Sequence, residues 1–164
     1  MSADDCKNHV QRDVAFALPY DIAALDAEER DRRTKISRDL CHIDEQRFFL
    51  RGVLEVPVHD DADEPLRFGV WAEVENAVVA RYIELYRVDA RDETPALGKL
   101  ANAIRGYPDL LGHPLVVRFS TAKERPRLLL DPSDHPLAID QRDGIGLERL
   151  ELIVHRALSR AVAH

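Results

Sequence analysis

The sequence predicts an α+β fold built on an antiparallel sheet of about four to five strands, and three patterns carry that prediction. Residues 48–58 and 66–74 alternate apolar and polar side chains with period two. Apolar residues at helical spacing follow directly after this pair and recur near the C-terminus. Strands do not alternate regularly with helices, so a doubly wound parallel sheet is not indicated.

In the first strand Phe48, Leu50, Leu54, Val56 and Val58 fall on one face, with Arg51 and Glu55 on the other. After an acidic loop, His59 to Pro65, a second strand sets Leu66, Phe68, Val70, Ala72 and Val74 against Arg67, Trp71 and Glu73. The pair reads as a hairpin. A turn centred near Ala62 would place Arg51 opposite Glu73 and Val53 opposite Trp71 on the outer face.

Before the hairpin, residues 1–13 are polar and expected to be loosely ordered. Asp26 and Glu29 have the spacing of a capping box, which predicts a charged helix from Ala27 to Ile36, pinned by Ile22, Leu25 and Ile36. After the hairpin, Asn76 is expected to cap a helix reaching about Arg87, with Val78, Val79, Tyr82, Ile83 and Tyr86 as its apolar stripe. Residues 96–104 fit either a strand or a helix. Gly106, Pro108, Gly112 and Pro114 punctuate a loop, followed by strands at Leu115–Ser120 and Arg127–Asp131. Gly144 and Gly146 precede a final helix from Leu147 to about Val162.

No repeat and no linker divides the chain, so one domain spanning 1–164 is expected. With 45% apolar and 32% charged residues, it should bury a core without disulfides or a structural metal. A net charge of -7 opposes binding to phosphate backbones, which argues against nucleic acid. The basic run from Arg30 to Arg38 is interleaved with acids and reads as a solvated helix face. No apolar stretch is long enough to cross a bilayer, the start lacks an apolar export region, and Cys6 and Cys41 stand far apart. These features predict a cytoplasmic protein without a membrane partner.

Nucleotide-binding motifs are missing: no glycine-rich loop ends in Lys-Ser or Lys-Thr, and Gly144-Ile145-Gly146 lacks the third glycine of a dinucleotide site. No cofactor is expected. Cys6 and His9 have the spacing of half a zinc site that Cys41 and His42 could complete, but adjacent strand residues point apart, so no metal is assigned. His59, Asp60, Asp61, Asp63 and Glu64 are typical of a solvated turn. The cluster Asp131, Ser133, Asp134 and His135 reads as a tight turn or helix cap, with a His and Asp catalytic pair as its alternative. The outer sheet face gathers Arg51, Glu55, Trp71 and Glu73, with Arg67, Arg118 and Arg127 able to converge there. Trp and Arg together favour partner binding, against an ordinary ion-paired face or one covered by the N-terminal helix.

Several ordered signatures are familiar: Asp39-Leu40-Cys41-His42-Ile43-Asp44, Phe48-Phe49-Leu50-Arg51-Gly52-Val53-Leu54, Phe68-Gly69-Val70-Trp71 and His135-Pro136-Leu137-Ala138. With Val14 to Pro19, Gly106-Tyr107-Pro108 and Gln141 to Ile145, they span nearly the whole chain. On these the chain resembles an uncharacterised bacterial family, domain of unknown function number twenty-one ninety-nine. The resemblance implies a bacterial cytoplasmic protein and transfers no activity. Many relatives resemble one another in an opening Cys-x-x-Cys knuckle, where this chain has Cys6-x-x-His9.

The reading that follows is a non-enzymatic protein-binding or accessory module using Arg51, Glu55, Trp71 and Glu73. No catalytic residue is assigned. The alternative is a small hydrolase or metal-dependent enzyme built on His59, or on Asp134 and His135. A homodimer through Val154, Leu158 and Ala161 of the last helix is a further expectation.

Overall fold

The computed structural model describes residues 11–61 and 63–159, which contain eight strands and five helices. The strands are β1 (Asp13–Ala15), β2 (Thr34–Ile36), β3 (Leu40–Ile43), β4 (Arg47–Val56), β5 (Leu66–Val74), β6 (Ala96–Leu100), β7 (Pro114–Arg118) and β8 (Arg127–Leu130). The helices are α1 (Tyr20–Ala23), α2 (Ala27–Arg33), α3 (Asn76–Leu85), α4 (Pro136–Asp143) and α5 (Leu147–Leu158).

The expected simple antiparallel sheet is instead a barrel with an extension. Strands β4 to β8 pair in sequence order, each antiparallel to the next, and a parallel contact between Val53 and Arg127 closes β8 onto β4. Sequence periodicity reports which face of a strand is buried but not whether a sheet curls shut, so closure had no local signal. β2 and β3 extend the sheet beyond one end of β4, and β1 runs parallel to β5 beside residues 67–69.

Each hairpin strand therefore changes partner along its length. β4 pairs with β3 over residues 47–50 and touches β8 at Val53; β5 pairs with β1 over residues 67–69 and with β6 at Ala72 and Glu73. Where ladders separate, backbone groups need other partners. Two side-chain amides supply them. The buried Asn102 accepts from the Trp71 N–H at 2.8 Å and donates to the Leu18 carbonyl at 3.0 Å. Gln141 accepts from the Leu130 N–H and donates to the Leu128 carbonyl, both at 2.9 Å, tying α4 to β8.

The predicted inner face is the barrel core: Leu50, Leu54, Val56, Leu66, Phe68, Val70 and Ala72 are fully buried. Gly52 falls on the same face by alternation, and the Leu128 side chain takes the space of its missing Cβ, which would lie 2.6 Å from Leu128 Cγ. The register differs from expectation. Arg51 lies opposite Trp71, Glu55 opposite Arg67, and Phe49 opposite Glu73, so the turn centres one residue earlier than Ala62. The resulting two-residue shift keeps every side chain on its face, which is why alternation could not detect it.

Residues 96–104 resolve into a strand, β6, followed by loop. The N-terminal helix ends at Arg33, and Ile36 lies on β2 with 44% exposure instead of pinning a helix. Asp26 does cap α2, accepting from the Glu29 N–H at 2.8 Å. Asn76 does not cap α3: Glu75 holds that position and Asn76 is the first helical residue. Of the residues expected to form a dimer face on α5, Val154 is buried, Leu158 is exposed, and Ala161 lies outside the described residues. Among the described residues no helix is long and apolar enough to cross a membrane.

Candidate functional site

The outer face of the hairpin divides into a covered half and an open half. Toward the start of β4, Phe49 and Trp71 are fully buried beneath Ile22, Phe16 and Leu18 of the N-terminal segment, with Cys41, Ile43 and Ala101 completing a second core. Trp71 was expected on an exposed surface. It is instead the largest fully buried side chain, and its indole N–H donates to the Phe16 carbonyl at 3.0 Å. Burial of the ring with its N–H satisfied is the stable arrangement for tryptophan.

Arg51 belongs to this covered half. Its guanidinium lies 5.5 Å from the Trp71 ring centroid and donates to the carbonyls of Phe16 at 3.0 Å and Arg38 at 3.3 Å. Burial and the neighbouring Arg125 lower its pKa, while Asp39 acts in the opposite sense. Glu73 is engaged with Arg47 at 2.6 Å, and Arg47 also reaches Asp21 on α1 at 2.6 Å. Arg51 and Trp71 thus bind the protein's own N-terminal segment directly, and Glu73 is linked to it through Arg47.

Toward the other end of β4 the face opens into a groove of about 520 Å³ on the barrel wall. Val53, Phe119 and Leu129 provide apolar lining, beside Arg91, Arg118, Arg127 and Glu55, the one carboxylate among the described lining residues. Alternation along β4, β7 and β8 turns Glu55, Arg118 and Arg127 outward together. Glu55 is engaged by Arg127 and, at 3.8 Å, by Arg67. Arg91 is held by Asp89, whose carboxyl is pulled down to about 2 by the hydrogen bond from Arg91. Arg118 makes no ion pair among the described residues, and its partner across the ladder is another arginine, Arg127. Like charges placed directly opposite are unfavourable in a sheet, and no carboxylate among the described residues neutralises Arg118. The foreseen convergence of Glu55, Arg67, Arg118 and Arg127 is present, separate from Arg51, Trp71 and Glu73.

The alternative catalytic residues have structural partners. His59 Nε2 lies 2.9 Å from the Asp143 carbonyl, and the His59 N–H donates to the Ile145 carbonyl at 2.9 Å. Its ring occupies the notch at Gly144, whose φ of +82° and missing Cβ permit the approach. His135 is the N-cap of α4: Nδ1 accepts from the Leu137 N–H at 3.0 Å, leaving Nε2–H to donate to the Pro108 carbonyl. Both ring nitrogens are committed to backbone, and neither to Asp134. The best-satisfied buried acid is one the sequence did not single out. Asp140 accepts from the Tyr107 hydroxyl at 2.6 Å and from Arg149 at 2.7 Å, and burial together with that carboxylate raises the Tyr107 pKa.

Cys41 lies inside the second core and His42 on the opposite side of β3, so the two side chains point apart. Burial pushes the Cys41 thiol up to about 11. Cys6 and His9 lie outside the described residues. Among the described residues no three His, Cys, Asp or Glu side chains gather into a group that could hold a metal ion.

No curated protein and no solved structure matches the chain. The family described as "Uncharacterized protein conserved in bacteria (DUF2199)" matches residues 3–145, the whole span of the barrel, its extension, and α4. The chain belongs to that family of uncharacterised bacterial proteins.

Proposed function

We propose that this chain is a cytoplasmic, non-enzymatic accessory module that recognises an acidic segment of a partner protein in the groove around Glu55, Arg118 and Arg127. The observation that supports the reading is Arg118, an exposed guanidinium without an ion pair among the described residues, facing a second arginine across the β7–β8 ladder. On a chain of net charge -7, a concave surface with an excess of arginine is a local inversion of sign, which steers acidic groups toward it. Arginine is suited to that task because its planar fork meets a carboxylate with two parallel hydrogen bonds. Val53, Phe119 and Leu129 supply the apolar contact that such a segment needs beside its acids. Of the four residues first assigned to a binding face, Glu55 lies here, where it holds Arg127 and Arg67 in place.

The test is fluorescence anisotropy of the full chain with a labelled peptide of alternating Glu and Leu. Binding at low salt should weaken by about tenfold in an Arg118→Glu variant whose circular dichroism is unchanged. Equal affinity of wild type and variant, or equal affinity for a Lys and Leu peptide, rejects the reading.

A further inference from the structure

A second concave surface lies apart from the arginine groove, between the β2–β3 connection and α3. It is a cleft of about 370 Å³ whose apolar walls are Leu40, Tyr82, Ile83 and Tyr86, with Arg38 and Arg87 at its rim. Ile83 is 59% exposed, although it falls in the stripe predicted to pack on the sheet. The barrel uses Tyr82 and Leu85 of α3 and leaves the Ile83 and Tyr86 side to solvent.

Among the described residues, the cleft's own lining carboxylate, Asp39, and the acids Glu84 and Glu93 are engaged by other arginines. Asp39 is taken by Arg125 at 2.9 Å, and Glu84 and Glu93 by Arg81 at 3.0 and 2.7 Å. Arg38 and Arg87 make no ion pair among the described residues. The Tyr82 hydroxyl, which feels the nearby Asp39 and Arg125, is buried without a hydrogen-bond partner among the described residues. An unsatisfied buried donor of this kind is uncommon in a finished core.

We propose that this cleft binds a small carboxylate with a flat apolar body, an aromatic acid being the best match. Its volume falls at the lower end of small-ligand sites, roughly 300–1,000 Å³. The exposed Tyr86 ring, set edge to face on the buried Tyr82 ring with centroids 5.9 Å apart, offers with Ile83 apolar surface for a planar group. The two lining arginines supply the positive charge that a carboxylate calls for. This site is independent of the groove around Arg118 and shares no lining residue with it.

The test is a titration of the ¹⁵N-labelled full chain with phenylacetate and, separately, with its neutral isostere phenylacetamide. Phenylacetate should shift the amide signals of residues 37–40 and 83–87 with a Kd on the order of 1 mM, as expected for a ligand of this size. Phenylacetamide should bind about tenfold more weakly, and Arg38→Ala and Arg87→Ala, both exposed positions, should each produce a similar loss. Equal binding of acid and amide overturns the proposal, as does binding indifferent to both variants. Shifts centred on residues 118–120 and 127–129 would place the acid in the arginine groove instead and equally overturn it. No shift at about 10 mM would also do so.

Discussion

The two halves of the hairpin's outer face come from the same pair of strands and have similar sequence chemistry, yet they end in opposite states. The half containing Phe49, Arg51 and Trp71 is roofed by the N-terminal segment and forms a second core, while the half containing Val53 and Glu55 is open and rimmed by arginine. Both halves mix charge with apolar surface. The difference is what arrives from elsewhere: Phe16, Leu18 and Ile22 cover one half, and Arg118 and Arg127 of neighbouring strands flank the other. An outward-facing residue on a strand is thus outside the barrel without being outside the protein.

The largest effect should come from removing the centre of the covered half. Trp71→Ala should lower unfolding stability by about 3–5 kcal/mol in urea titrations, because it leaves a cavity and removes one of the two donors to the Phe16 carbonyl, the other being Arg51. Leu129→Ala in the open half, at a residue 38% exposed, should cost under about 1 kcal/mol. Comparable losses at the two sites would erase the distinction between them.

Asn102→Ala should rank next, at about 2–3 kcal/mol by the same measurement, since it leaves the buried Trp71 N–H without its acceptor and removes the donor to the part-buried Leu18 carbonyl. If Asn102→Asp is tolerated equally well, the amide's donor role toward Leu18 is wrong.

Cys41 gives a pH signature of the cover. Its thiol titrates near 11 when folded, against an ordinary 9.0, because burial disfavours the thiolate. Between about pH 9 and 11 the unfolded chain loses a proton that the folded chain keeps, so the contribution is intact below pH 9 and stability falls as pH rises through this window. In a Cys6→Ser background, the decline should exceed that of a Cys41→Ala counterpart by about 1–2 kcal/mol. Parallel pH profiles for the two would mean that the thiol is not enclosed.

The smallest effect concerns the rim of the cover. Arg47 joins Asp21 and Glu73 across partly exposed ion pairs, its own side chain being 43% exposed. Arg47→Met should cost less than about 1 kcal/mol, and the difference from wild type should vanish at about 1 M salt. A larger, salt-independent loss would show that Arg47 anchors the cover through its stem on Phe49, over whose ring it lies at 5.4 Å.

Parts of this arrangement were legible in the sequence because their causes are local. The inner face from Leu50 to Val74, the boundaries of β5, the Asp26 cap and the start of α5 all follow from side-chain period or from capping chemistry within a few residues. The cluster at His135 was readable as a helix cap for the same reason. β2 and β3 were missed because each is short, three and four residues, and acquires its identity only by pairing outward from β4. Asn102 and Gln141 were missed because an amide that stands in for a strand looks, in sequence, like any polar residue.

What the sequence determined by itself is the two-sided character of the hairpin, since alternation with period two is a property of consecutive residues. Which outer residues meet solvent was decided only by tertiary structure. The Trp71 ring is satisfied by a carbonyl 55 positions away, and the amide that accepts from its backbone bridges to Leu18 across 84 positions. Such contacts depend on where separate segments come to rest, which no local pattern encodes. The same dependence brought Glu55 of β4 against Arg127 of β8 in the groove.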